Sequence, residues 1–367
     1  MILNPGHPLA GVAAKVAAGE RLSETDGLAI AHSHDVPLLA ALAHEVRARL
    51  HGDRVYYNVN RHINPTNVCC VGCELCAYSS DPRAEGAWAY SPQECVALAR
   101  GDWTPGVTEF HVVGGLHPHW KFETYLDILR ALRQAFPDVH LKAFTMVEID
   151  FLAKIAKLSV EDTIARLREA GLGSCPGGGA EIFHPEVRRR IASRKLSGEQ
   201  WLDVARKVHR SGLKSNCTML FGHVEEPRHW VDHLLKLRAL QDETGGFQCF
   251  IPLAFHPANT AFADLPGPTL IQKLKVVALS RLLLDNIAHV KAYWVMLGRD
   301  VAQLALRGGA DDLDGTVTDE RVTLAAGGTA GPGMTAREIE EFIRGAGLAP
   351  VRRDTLYNPI AATPAGA

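Results

Sequence analysis

Along the 367-residue chain, short apolar runs alternate with stretches of helical periodicity. The runs cover 55–59, 110–114, 141–145, 171–175, 215–221, 247–253 and 290–297. Between them, Tyr125, Leu129, Leu132 and Phe136 form one helical stripe, and Trp201, Val204, Ala205 and Val208 form another. Ser159-x-x-Asp162, Ser197-x-x-Gln200 and Thr335-x-x-Glu338 have the spacing of helix-start capping boxes. Strands alternating with helices at this interval predict βα units around a parallel sheet. With a further strand expected over 311–317, eight units favour a closed (β/α)8 TIM-type barrel over an open sheet.

The flanks follow other patterns. Residues 1–53 read as a helical segment packed on the barrel, less regular over the first twenty. In it Leu38, Leu42, Val46 and Leu50 share one face, with Arg47 and Arg49 off it. The barrel is expected over 54–320. A C-terminal extension, 321–367, would hold a flexible loop at 325–333, a helix at 336–347 and an extended tail at 350–357. Neither internal repeats nor a linker divides the chain.

Composition adds bounds. Hydrophobic residues at 47% and charged residues at 22% suit a globular protein with a sizeable core. A net charge of -2 gives no overall basic field to attract nucleic acid. The N-terminus has no signal-peptide pattern, and no run of 18 apolar residues suggests a membrane span. The cysteines are therefore expected to be reduced and the protein cytoplasmic.

Half of the 8 cysteines lie between Cys69 and Cys76. Cys69, Cys73 and Cys76 stand in a C-x3-C-x2-C spacing, and no fourth cysteine follows at ferredoxin-like distance. Soft thiolates suit an iron–sulfur cluster with one iron open to a small molecule. Zinc, or thiols without a metal, are the other readings of the spacing; a second zinc knuckle is missing.

Barrel enzymes place their chemistry at the carboxyl ends of the strands. There the sequence offers Gly114-Gly115-Leu116-His117-Pro118, and Glu148 as a substrate contact or helix cap. It also offers Pro176-Gly177-Gly178-Gly179-Ala180-Glu181 without a phosphate-loop lysine. Asn216 and Thr218 fall on one face of their strand by alternation. His223, His256 and Asn259 end later strands. Lys142, Lys291 and Arg299 are candidates to meet an anionic substrate, against the ordinary alternative of solvent-facing cations.

The cysteine stretch, followed by Tyr78, resembles the signature of the radical S-adenosylmethionine (SAM) superfamily. Further stretches at 114–118, 142–145, 176–183, 218–223, 240–248 and 311–316 resemble its members in menaquinone biosynthesis by the futalosine route. Leu75 departs from a position that is often aromatic, and Cys70 doubles the first cysteine and reads as a small hydrophobe. The resemblance implies a [4Fe–4S] cluster on Cys69, Cys73 and Cys76, and SAM as co-substrate. Tyr78, Gly114, Gly115, Glu181 and Thr218 become candidate SAM contacts, and Glu181, Asn216 and His256 candidate catalytic groups. It also implies a small-molecule aromatic carboxylate as substrate and a reductant such as flavodoxin or ferredoxin. A ring-closing relative of the same route, the deazaflavin cofactor synthase subunits, and a non-catalytic electron-transfer or zinc protein remain open alternatives.

Overall fold

The computed structural model describes residues 3–101, 106–329, 331 and 333–360. The described residues form ten strands. They are β1 (Arg54–Asn58), β2 (Asn60–Ile63), β3 (Glu109–Val112), β4 (His140–Ala143), β5 (Ser174–Cys175), β6 (Lys214–Phe221), β7 (Phe247–Ala254), β8 (His289–Val290), β9 (Asp312–Gly315) and β10 (Ala349–Arg352). Seven of them, β2 to β8, form one parallel sheet in chain order; β10, β1 and β9 form a second. The two sheets meet at both seams. Lys291 beyond β8 bridges Asp312 of β9, and Arg61 of β2 bridges Thr318 just after β9. Since β1 and β2 are halves of one run bent at Val59, the ring has the eight-stranded, TIM-type form that the rhythm predicts.

Alternation decides what faces where. Phe110, Val112, Leu141, Ala143 and Cys217 join the apolar core, while Glu109, Lys142 and Asn216 on the same strands form part of the buried polar set and His111 is half-buried. The core takes up the predicted helix stripes: Tyr125, Leu129 and Leu132 of Phe122–Ala135, and Trp201, Val204, Ala205 and Val208 of Gly198–Arg210. Ser197 and Gln200 make the expected reciprocal cap, as do Thr335 and Glu338; Ser159 accepts from Asp162 without the return bond.

Several expectations change. A helix already runs over Ala10–Ala18, in the segment expected to be irregular. In the helix Val36–His51 the buried face is Leu39, Ala43, Arg47 and His51 together with Leu38 and Leu42, while Leu50 is exposed. Arg47 goes inward because its guanidinium has carbonyls to bind, those of Gly52, Arg54 and Ala310. The run 290–297 is a strand only through Val290; Trp294–Leu297 is a helical turn, its Trp294 ring N–H donating to the Gly315 carbonyl (3.0 Å). Of the predicted loop 325–333, Ala330 and Pro332 lie outside the described residues. Among the described residues no helix is long and apolar enough to cross a membrane.

Candidate active site

One cavity of about 350 Å³ opens at the carboxyl ends of the strands. Cys69, Cys73, Cys76, Tyr78, Gly114, Gly115, Glu148, Glu181, Asn216, Thr218 and His256 all line it. His223 and Asn259 do not. His223 turns to Glu225 (2.8 Å) and to the Leu220 carbonyl, and Asn259 donates to the Ala325 carbonyl (3.0 Å).

Backbone hydrogen bonds tie the cysteine loop to the loop after β3. The Gly115 N–H donates to the Thr66 carbonyl (2.8 Å) and the Cys70 N–H to the Leu116 carbonyl (2.9 Å). A Cβ at Gly115 would stand 2.2 Å from the Val68 carbonyl oxygen, and one at Gly114 would stand 2.9 Å from that of Thr66. The glycine pair is thus needed first for the loop to lie against β3, whatever else approaches it. Cys70 is exposed, not packed as a small hydrophobe, because its neighbours take the inner side of the loop.

Three partly exposed free thiols make a soft donor set that fits an iron–sulfur cluster. Burial pushes the Cys73 thiol up to about 11, against the nearby Lys195 ammonium. Lys195 was not legible as a site residue; it follows a short helix with no motif around it. Its ammonium donates to Glu181 (2.6 Å). Burial alone would raise the Glu181 carboxyl, but Lys195 outweighs it and holds the carboxyl below its ordinary value. Glu181 has a φ of 47°, the left-handed region, as the chain turns out of the glycine run.

The other predicted groups divide by whether their polar atoms are free. The Tyr78 hydroxyl donates to the Thr66 carbonyl (3.1 Å), that of Thr218 to the Gly177 carbonyl (2.8 Å), and the His256 ring meets the Met296 carbonyl (3.0 Å). Glu148 caps its own helix through the Thr145 N–H (2.7 Å) and also accepts from the Gly114 N–H (3.3 Å). Burial pushes its carboxyl up to about 7. Asn216 differs: it is 2% exposed, and its side-chain oxygen is buried with no partner.

Lys142 and Lys291 face the barrel interior, not solvent. Lys142 donates to Glu109 (2.7 Å) and Lys291 to Asp314, so their charges are already answered. Arg299 is exposed, its guanidinium over the Trp294 ring.

A TIM-type parallel barrel whose first βα loop carries three cysteines on the cavity wall defines a class, and the chain belongs to the radical SAM superfamily. Residues 63–237 match the model described as "Radical SAM superfamily", and residues 244–365 match "CofH/MqnC C-terminal region". The chain is 44% identical to aminodeoxyfutalosine synthase of Thermus thermophilus, over 95% of both chains. It is 46% identical to the synthase of that name from Streptomyces coelicolor, over 94% of this chain and 92% of that one. With 5-amino-6-(D-ribitylamino)uracil--L-tyrosine 4-hydroxyphenyl transferase of Methanopyrus kandleri it shares 40% identity, over 87% and 88%. The crystal structure of methylornithine synthase shares the fold, with a TM-score of 0.72 at 16% identity over 93% and 97%. The protein is therefore an enzyme of the radical SAM class, for which a [4Fe–4S] cluster and SAM are implied.

Proposed function

We propose that the enzyme joins the 5′-deoxyadenosyl group of SAM to 3-[(1-carboxyvinyl)oxy]benzoate. Rearrangement and loss of carbon dioxide would then give 6-amino-6-deoxyfutalosine for menaquinone biosynthesis. The observation that carries this reading is the 44–46% identity to two aminodeoxyfutalosine synthases over nearly the full length of each chain. Cys69, Cys73 and Cys76 would hold the cluster, which when bound supplies the electron that cleaves SAM. A reductant such as flavodoxin or ferredoxin would reload it.

The chain's own residues have three tasks. Gly114 and Gly115 keep the cysteine loop against the barrel mouth, beside the Lys195–Glu181 pair, where Glu181 can accept ribose hydroxyls. Asn216 offers the uncommitted amide of the cavity to SAM or substrate. Val71, Leu75, Val113, Leu116, Val147 and Leu253 line the walls with apolar surface, which excludes water from reactive intermediates.

The match to the CofH/MqnC C-terminal region favours a second reading, a hydrogen-abstracting relative such as the dehypoxanthine futalosine cyclase. Labelling separates the two. Reconstituted enzyme, given reductant, the enolpyruvyl ether and SAM labelled at the 5′ carbon, is expected to place the label in a larger adenine-containing product, with methionine formed in step. Stoichiometric free 5′-deoxyadenosine with no labelled adduct would reject the synthase reading.

A further inference from the structure

The cavity extends past the cysteines to a floor where His62 of β2 and His111 of β3 stand side by side. They are register partners across the parallel pair, and their rings stack with centroids 4.5 Å apart and planes 5° from parallel. Both line the cavity. His62 is 8% exposed, and its Nε2 is buried with no hydrogen-bond partner. Buried ring nitrogens are normally satisfied, so one left unpartnered on a cavity wall marks where a ligand atom can bind.

The charges around the cavity sharpen this. Of the basic side chains on its wall, Lys195 is held by Glu181 and His256 by the Met296 carbonyl. Among the described lining residues, that leaves the two floor histidines; His111 makes only a 3.9 Å approach of Nδ1 to Glu109. Below them Lys142 pairs with Glu109, and Lys291 with Asp314. Glu320 on the same wall directs its carboxylate at the Val322 and Thr323 N–H groups (2.8 and 2.9 Å). An anionic substrate entering this cavity meets no uncommitted lysine or arginine on the described wall, yet a buried carboxylate needs a charged or multiply hydrogen-bonding partner.

We propose that His62 and His111 together seat a carboxylate of the substrate, taking up a proton from solvent as it binds. The proposal rests on the reading that the substrate is an aromatic dicarboxylate. Without ligand His62 is neutral: burial, then His111 beside it, holds it down at about 3 against the pull of Asp314 and Glu109. A carboxylate at hydrogen-bond distance adds the opposite charge and favours the imidazolium. The sequence offered one signal for this seat, the inward alternation of Asn60 with His62 and of Glu109 with His111.

Calorimetry tests it on cluster-loaded enzyme with SAM and without reductant. The enolpyruvyl ether is titrated in two buffers of different ionisation enthalpy. Wild type is expected to bind with net proton uptake and more tightly at pH 6 than at pH 8. His62→Asn and His111→Asn should each weaken binding about tenfold or more and remove the uptake, with SAM affinity and iron content unchanged. Ether affinity and uptake unaltered in both variants would overturn the seat and leave the proposed function standing. Parallel loss of SAM affinity or iron in both variants would mark a structural role, and would also overturn it. Failure of the ether to bind wild type would remove the proposed function, and the seat with it.

Discussion

Two carboxyls on the same cavity wall are held in opposite states by their neighbours. Glu181 faces an ammonium and stays ionised, whereas Glu148 has the Thr145 and Gly114 N–H groups and, through burial, sits at about 7. A raised carboxyl stabilises the fold while it is protonated. The Glu148 contribution is therefore complete below its unfolded value near 4.5 and is lost as pH rises through about 7. Its size is on the order of 3 kcal/mol for a shift of this extent. Glu148→Gln keeps the shape and removes the titration. It is expected to flatten the dependence of melting temperature on pH between those limits, and a slope equal to wild type would refute the assignment. The cysteines make a second test at this scale. Alanine at Cys69, Cys73 or Cys76 should abolish iron loading on anaerobic reconstitution, while Cys70→Ala, at an exposed thiol off the cavity wall, should load normally. Iron per chain decides it; a Cys70 variant without iron beside a Cys69 variant with it would reverse the ligand register.

Elements meet tightly where the β3 loop crosses the cysteine loop. Alanine at Gly115 would place a methyl 2.2 Å from the Val68 carbonyl, and backbone on both sides leaves nowhere to shift cheaply. Gly115→Ala is expected to destabilise by roughly 1–3 kcal/mol and to lower iron loading, read from urea midpoints and metal analysis. Wild-type values in both would mean that the loops separate easily. The same pair of elements shows what the sequence could reveal. The cysteine spacing, the glycine pair and the βα rhythm are local patterns, and local patterns are legible. What escaped were strands whose inner face is polar. Asn60-Arg61-His62-Ile63 continues the first strand, but its inward Asn60 and His62 do not read as apolar alternation, so the apolar run in the sequence ends at Val59. Lys142 and Lys291 read as surface cations for the same reason, since their partners Glu109 and Asp314 are distant in sequence. Arg47 was hidden likewise, because the carbonyls it binds come partly from residue 310.

For the whole molecule, the ring is completed by chain ends that lie far apart in sequence. β10 pairs in parallel with β1, and β1 with β9, so the last described strand clamps the first against the seam strand. Just beyond β10, Arg353 is fully buried. Its Nε donates to Asp312 of β9 (2.7 Å), and its guanidinium lies 4.1 Å from the centre of the Tyr357 ring. Asp312 also forms the bridge to Lys291 that joins β9 to the larger sheet, so one carboxylate residue stands at the seam with both neighbours. Removing one member of a buried ion pair leaves the other charge uncompensated, whereas removing both does not. Arg353→Leu is therefore expected to cost about 3–5 kcal/mol, and Arg353→Leu with Asp312→Leu to recover much of that loss. Two residues past Asp312, Asp314 lines the active-site cavity, so an opened seam should reach the floor of the site. Amide hydrogen exchange is expected to quicken over 312–318 and 54–63 in the single variant, and to slow again in the double. If the single variant exchanged at wild-type rates there while losing stability elsewhere, Arg353 would be an ordinary buried pair of the tail, and closure of the barrel would not depend on it.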